Sequence, residues 1–163
     1  MKMADRPAVV AEIWIGADPA DVWALVTDVA RMGEWSPENE GGRWIDGADG
    51  PAVGARFTAQ NERRGVRWET TSTVTASDPV RRFAFAVHDP DDPAATWSFD
   101  LAPEDGGTRV AQRARLGPGP SGLQSAVDRE PDREEEFVSR RMQSLWKAMH
   151  TTLEGIKAAA EGG

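Results

Sequence analysis

The chain has 163 residues, of which 39% are hydrophobic and 28% charged, a composition typical of one globular domain, so we expect a single domain over residues 1–163. Its net charge of −8 argues against binding to nucleic acid or anionic lipid surfaces, since both need a basic footprint. No cysteine is present, which excludes disulfides and thiolate chemistry. Because the sequence has neither a long apolar run nor an apolar signal-peptide core, we expect a cytoplasmic protein without a membrane span.

The first predicted elements are a strand and a helical region. Residues 8–15 form a β-rich run. A helix is predicted to follow, with Asp18 as its N-cap and Pro19 at its first position. Apolar residues then recur at helical spacing from Val22 to Met32, and Gly33 is predicted to end the region.

The middle of the chain alternates between apolar and polar positions, as half-buried strands do. Six strands are predicted here, at residues 43–45, 56–62, 66–75, 81–87, 96–101 and 108–116. The connections between them are too short for parallel crossovers, so neighbouring strands must form antiparallel hairpins. Together with the first strand they give a sheet of seven strands.

The last predicted element is a long amphipathic helix over residues 131–160, which follows a GPGPSG loop and a short helical turn at 123–128. Its apolar stripe, widened by Trp146 and Leu153, consists of Val138, Met142, Leu145, Met149, Thr152 and Ile156. A single helix seldom fills the concave side of a curved sheet. The pattern therefore predicts an apolar hollow between the two, able to hold a small hydrophobic molecule.

Several runs of residues strengthen this interpretation: AEIWIGADPADVWALVTDVARMGEWSPE, VGARFTAQN, DPVRRFAFAV, TWSFDLAPEDGGTRV, the strand around Trp68 and the helix containing Trp146. With the order of elements, they resemble the START-like (SRPBCC) superfamily, in particular its bacterial polyketide cyclase/dehydratase and lipid-transfer group, over nearly the whole chain. The resemblance implies an α+β helix-grip fold, in which a curved seven-stranded antiparallel sheet wraps around a long C-terminal helix and two short helices follow strand 1. It also implies a deep cavity, but no shared set of catalytic residues.

We expect ligand-binding side chains on the inward strand faces, on the long helix and at the cavity mouth, where Trp35 and Glu38 are placed. Polar groups on the inward faces need partners, because an unpaired buried polar group costs roughly 1–3 kcal/mol; these partners could be each other, water or a ligand. Tryptophan is frequent, with seven residues, and its flat rings could line the pocket or fill the core. The predicted ligand-binding residues are Trp35, Glu38, Phe57, Asn61, Trp68, Thr70, Ser72, Phe85, Trp97, Gln112, Met142, Trp146 and Met149.

The sequence contains no motif that marks a catalytic or metal site. His88 and His150 fall in no metal-ligand spacing, and there is no GxSxG elbow, so we expect neither a metal nor a cofactor and assign no catalytic residue.

Three functions stay open. The chain could carry a lipid, isoprenoid or aromatic polyketide; it could be a polyketide cyclase or dehydratase that uses Asn61, Gln112 and His150; or it could be a protein-interaction or stress-response module. The sequence does not decide between a monomer and a homodimer.

Overall fold

The computed structural model describes residues 1–162, in which an antiparallel sheet packs against a long C-terminal helix. The strands are β1 Ala8–Ile15, β2 Asn39–Ile45, β3 Arg56–Arg63, β4 Val66–Asp78, β5 Arg82–Val87, β6 Ala95–Glu104 and β7 Gly107–Leu116. Their order across the sheet is β1-β7-β6-β5-β4-β3-β2, so the strands from β2 to β7 form a meander and β1 pairs with the last strand. This confirms the predicted helix-grip fold.

β2, β4 and β6 are each several residues longer than predicted, and the pairing of β2 and of β4 contains an irregularity. β2 begins at Asn39, and its register with β3 shifts between Asn39 and Gly41. β4 continues to Asp78, and its register with β5 shifts between Val74 and Ala76. An extra residue in a strand interrupts the alternation and increases the local bend, which curves the sheet around its concave face.

The helical region after β1 consists of two short helices, as the resemblance implied, and not of one helix continuing from Val22 to Met32. Helix α1 is Pro19–Val26, and a separate short 3-10 helix covers Met32–Glu34. The hydroxyl of Thr27 donates to the Trp23 carbonyl at 2.8 Å, which satisfies a carbonyl at the end of α1. Asp18 stands at the predicted N-cap position and Pro19 begins the helix, although the Asp18 side chain makes no capping hydrogen bond within residues 1–162.

Two helices follow β7. Helix α2 is Gly122–Arg129, and Ser121 caps it by accepting the Gln124 amide at 3.0 Å. Helix α3 is Glu134–Gly162, with 29 residues, and follows a 3-10 turn at Pro131–Arg133. Every residue of the predicted stripe is buried, as is Leu153. This stripe forms one core with the inward side chains of the sheet.

Helix α3 lies along β1, and near each of its ends a glutamate of the helix accepts a hydrogen bond from a backbone amide near one end of β1. Glu134 accepts the Met3 amide at 2.9 Å, and Glu161 accepts the Gly16 amide at 2.7 Å. Lys157 also donates to Glu161 at 2.6 Å, and the two hydrogen bonds together, with that of Lys157 the stronger, hold the pKa of Glu161 below its usual value. Within residues 1–162, no helix is both long enough and apolar enough to span a membrane.

Candidate functional site

Several inward side chains near one end of the concave face are more accessible to solvent than those in its middle, although Val87 and Leu116 at that end are buried. Inward side chains in the middle of the sheet are buried: Phe57, Ser72, Val74, Phe83 and Phe99. Inward side chains further along the same strands are only half-buried: Asn61, Trp68, Thr70, Phe85 and Trp97. All of the latter lie toward the β3–β4 turn, residues 63–66, and the β5–β6 loop, residues 88–94. We call this end of the sheet the open end.

A continuous row of aromatic rings crosses the concave face. Trp23 of α1 contacts Phe83, with 6.4 Å between ring centroids, and Phe83 lies 5.6 Å from Phe85. Phe57 then contacts Phe85 at 5.0 Å and Trp44 at 5.3 Å, both edge to face. Such contacts add about 0.5–1.5 kcal/mol per pair beyond the area they bury. The row therefore fixes the orientation of Phe85, whose ring is still partly open to solvent.

Two of the predicted polar residues satisfy each other. The Asn61 side-chain amide donates to the Thr70 hydroxyl and to the Ala59 carbonyl, each at 3.3 Å. Ser72, two residues along the same face, is 2% exposed. The Asn61 amide nitrogen and the Thr70 hydroxyl oxygen therefore have hydrogen-bond partners within the protein.

Gln112 differs from these residues because part of its amide is unpaired. It is 5% exposed and lies on β7 between Ala11 of β1 and Phe99 of β6, which are each 2% exposed. Its Oε1 atom is buried and accepts no hydrogen bond from any group in residues 1–162. A donor supplied by a ligand or by water would remove the cost of this unpaired acceptor.

An ion pair joins α3 to the loop before β2 at the open end. Arg141 donates two hydrogen bonds to the Glu38 carboxylate, at 2.6 and 3.1 Å, and the two side chains are 18% and 16% exposed. The Glu62 amide donates to the Glu38 carbonyl at 2.8 Å, which brings the end of β3 to the same place. Burial and the charge of Arg141 lower the pKa of the neighbouring Arg63 guanidinium, while Glu38 acts in the opposite direction.

Trp35 lies in a core contact and not at the solvent-facing mouth that was predicted. It is 9% exposed and packs against α3 at Gly155. A Cβ atom added to Gly155 would lie 2.8 Å from Cβ and Cδ1 of Trp35, so the close approach requires glycine. The Arg31 guanidinium lies over the same ring, 5.2 Å from its centroid.

Trp146 also lies elsewhere than predicted, since its side chain is 47% exposed. One residue along an α-helix corresponds to a rotation of about 100°, which takes Trp146 away from the direction of buried Leu145. Its ring instead contacts the ring of His150 on the next turn, at 4.2 Å between centroids. By contrast, Met142 and Met149 are 7% and 1% exposed and belong to the core, as the stripe predicted.

Two concavities stand out in residues 1–162, and both open to the outside. One, of about 340 Å³, is lined by Ala30, Glu40, Gly41, Gly42, Arg43, Thr58, Gln60 and Glu69. The other, of about 450 Å³, is lined by Met3, Ala4, Arg6, Gly117, Pro118, Gln124 and Glu134. None of the predicted ligand-binding residues lines either one. Beneath α3, buried methionine, leucine and aromatic side chains occupy space that the sequence analysis expected to be empty.

The three candidate catalytic residues do not converge. Asn61 lies on β3 near the open end, whereas Gln112 lies on β7, with β4, β5 and β6 between them. Four strand spacings correspond to about 19 Å along the sheet. His150 is on the flank of α3, where it stacks with exposed Trp146. Residues 1–162 also contain no group of three or more His, Asp or Glu side chains arranged to hold a metal ion.

Arg63 and Arg141 lie at the open end but were not among the predicted ligand-binding residues. Arg141 follows a run of charged residues at the start of α3, and the side chains of such a run ordinarily lie on a solvent-exposed face of the helix. Its contact with Glu38 spans 103 positions of sequence, which local spacing does not reveal. The only available signal was the placement of Glu38 at the mouth, since a partly buried carboxylate needs a cationic partner.

Comparison with known proteins gives one family match and several structural likenesses. Residues 6–161 match the model of a family described as polyketide cyclase/dehydrase and lipid transport. The polyketide-cyclase-like protein Cgl2372 from Corynebacterium glutamicum is 30% identical over 99% of this chain and 93% of that chain, with a TM-score of 0.70. No curated protein sequence matches the chain.

Two further solved structures resemble it in fold alone. Protein Ms6760 from Mycobacterium smegmatis is 18% identical, with 97% of this chain and 93% of that chain covered and a TM-score of 0.65. The di-domain ARO/CYC StfQ from the steffimycin biosynthetic pathway is 15% identical, with a TM-score of 0.70. There the alignment covers 95% of this chain but 50% of the di-domain protein.

Proposed function

The chain belongs to the polyketide cyclase/dehydrase and lipid transport family, and from that premise we propose that it binds a small hydrophobic molecule between the concave face of the sheet and α3. A lipid, an isoprenoid or an aromatic polyketide would suit such a site. The observation that carries the proposal is the half-buried state of Phe85 and Trp97 at the open end. Apolar rings on the inside of a sheet are ordinarily covered by the core, and here they keep contact with solvent.

Binding would require the open end to widen, because side chains occupy the space beneath α3. Met142 on α3 is suited to this, since methionine is unbranched and changes shape at little energetic cost. Phe85 and Trp97 are neighbours in the β5–β6 register, and Trp97 is next to the small residue Ala114 of β7. A flat or chain-like apolar molecule could lie on these two rings and displace a flexible side chain without changing the sheet.

Binding without chemistry is favoured over an enzyme by the positions of the polar groups. Asn61 and Thr70 are engaged with each other, and Gln112 is on a distant strand. A general acid or base has to reach the reacting atom within hydrogen-bond distance. Three groups in three separate places do not meet this condition for one substrate.

The test uses the neutral fluorescent probe N-phenylnaphthylamine and two matched variants. Thr70 and Thr71 are adjacent on β4, and both are half-buried, but Thr70 faces the concave side and Thr71 the convex side. Thr70→Phe should weaken probe binding by about tenfold or more, because the new ring occupies the site, whereas Thr71→Phe should leave it unchanged. Thermal unfolding would confirm that both variants are folded.

Absence of probe binding to the wild-type protein would overturn the proposal, as would equal effects of the two substitutions. Mass spectrometry of an organic extract of the purified protein would identify any molecule that it retains.

A further inference from the structure

Two arginines lie beside one carboxylate at the corner of the open end formed by the β3–β4 turn. The Glu38 carboxylate is neutralised by Arg141 through two hydrogen bonds. Arg63 follows Glu62, whose backbone amide donates to the Glu38 carbonyl at 2.8 Å, and none of the ion pairs within residues 1–162 includes Arg63. The Arg63 guanidinium therefore has no carboxylate partner of its own within residues 1–162, although the protein as a whole carries a net charge of −8.

The charge of Arg63 is costly where it stands. The side chain is half-buried, and its position beside Arg141 adds repulsion between like charges. A partly desolvated cation without a partner is unfavourable, and such groups in proteins are ordinarily paired. An anion that reached both arginines would relieve this cost, and the planar guanidinium fork matches two oxygens of a carboxylate or phosphate.

The position of these arginines suits one end of an elongated ligand. Asn61 and Trp68 face inward on the β3–β4 hairpin, immediately before and after the turn that follows Arg63. Phe137, one turn before Arg141 on α3, is half-buried and packs against the core. Apolar surface on the concave side and cationic groups at its rim are therefore adjacent.

We propose that Arg63, together with Arg141, binds the anionic oxygen group of an amphipathic ligand whose apolar part lies on the concave face. This inference rests on the proposed function and adds to it the class of ligand, which is a hydrophobic acid with a carboxylate or phosphate end. The acidity of the whole protein would repel such a molecule elsewhere on its surface. Selectivity for the acid therefore depends on the local arginines.

The experiment compares dansylaminoundecanoic acid with its uncharged methyl ester by fluorescence titration. In the wild-type protein the acid should bind at least about tenfold more tightly than the ester. In Arg63→Gln the acid and the ester should bind with about equal affinity. The matched control is Arg64→Gln, which removes the same charge from the next residue, an exposed position in the turn, and should keep the preference. Displacement of the acid by dodecanoate or by dodecyl phosphate would show which anionic group the site prefers.

The outcomes separate the two proposals. Equal affinities of acid and ester in the wild-type protein, or an unchanged preference in Arg63→Gln, would overturn the anion site while leaving hydrophobic binding intact. Failure of both dansyl compounds and of N-phenylnaphthylamine to bind would overturn the proposed function and this inference together.

Discussion

Replacement of Gln112 by methionine should stabilise the ligand-free protein. Gln112 is 5% exposed, and its Oε1 atom has no hydrogen-bond partner in residues 1–162. An unpaired buried acceptor costs about 1–3 kcal/mol, and methionine keeps the length and unbranched shape of glutamine while it removes the amide. The free energy of unfolding should therefore rise by about 1–3 kcal/mol. For a domain of this size each kcal/mol raises the Tm by about 2–4 °C.

The measurement is urea unfolding at neutral pH with a parallel thermal melt, and the control is Gln143→Met. Gln143 is exposed on α3, so the same chemical change there should alter the free energy of unfolding by less than about 0.5 kcal/mol. A loss of about 1 kcal/mol or more in Gln112→Met, which is what breaking a satisfied hydrogen bond would cost, would refute the reasoning. It would mean that the Gln112 amide is already satisfied by a buried water molecule, and that no donor is needed from a ligand.

Two further predictions concern α3. Gly155→Ala should destabilise the protein by about 1–3 kcal/mol, because the added Cβ would overlap Trp35, although alanine is the better helix former. The measurement is chemical denaturation, and the control is Gly122→Ala. A Cβ atom at Gly122 would have no neighbour within 4 Å, so this variant should lose no stability. Glu161, whose pKa is lowered mainly by its hydrogen bond to Lys157, should stabilise the folded state above its unfolded pKa of about 4.3 and lose that effect as the pH falls through its lower folded pKa. Melts from pH 7 to pH 2 should therefore show a shallower acid-induced loss of Tm in Glu161→Gln than in the wild type, and identical profiles would contradict this.

The fold was predictable because the hydrophobic pattern is unusually regular. Each strand of the meander alternates, and the stripe of α3 keeps its spacing over five turns, so local residues were enough to define these elements. The bends were not predictable in the same way. Residues 39–42 and 74–78 contain register shifts, and an extra residue in a strand looks like the end of alternation when only the sequence is read.

The candidate site was predictable only in part. The spacing of residues predicts which face of a strand or helix a side chain occupies, but not how deeply that side chain is buried. The alternation correctly put Gln112 inward, while its lack of a partner depends on what surrounds it in three dimensions. Trp146 is next to the apolar stripe of α3, so its spacing is compatible with a buried or an exposed side chain. In the folded protein the side chain is exposed to solvent. Trp35 was predicted to line the cavity mouth, but a glycine 120 positions later allows α3 to cover it. Contacts of this kind arise only after the chain has folded.

The pairing of β1 with β7 also has a consequence for how the protein is made. β2 to β7 each join a neighbour through a nearby turn, so these hairpins can form while the chain is still being synthesised. β1 has to wait for β7, since Ala8 lies opposite Arg115 and Ile15 opposite Thr108, and it also packs against the last helix. We therefore expect the first strand to leave the ribosome early and dock late, which makes it the segment most in need of protection from aggregation during biosynthesis.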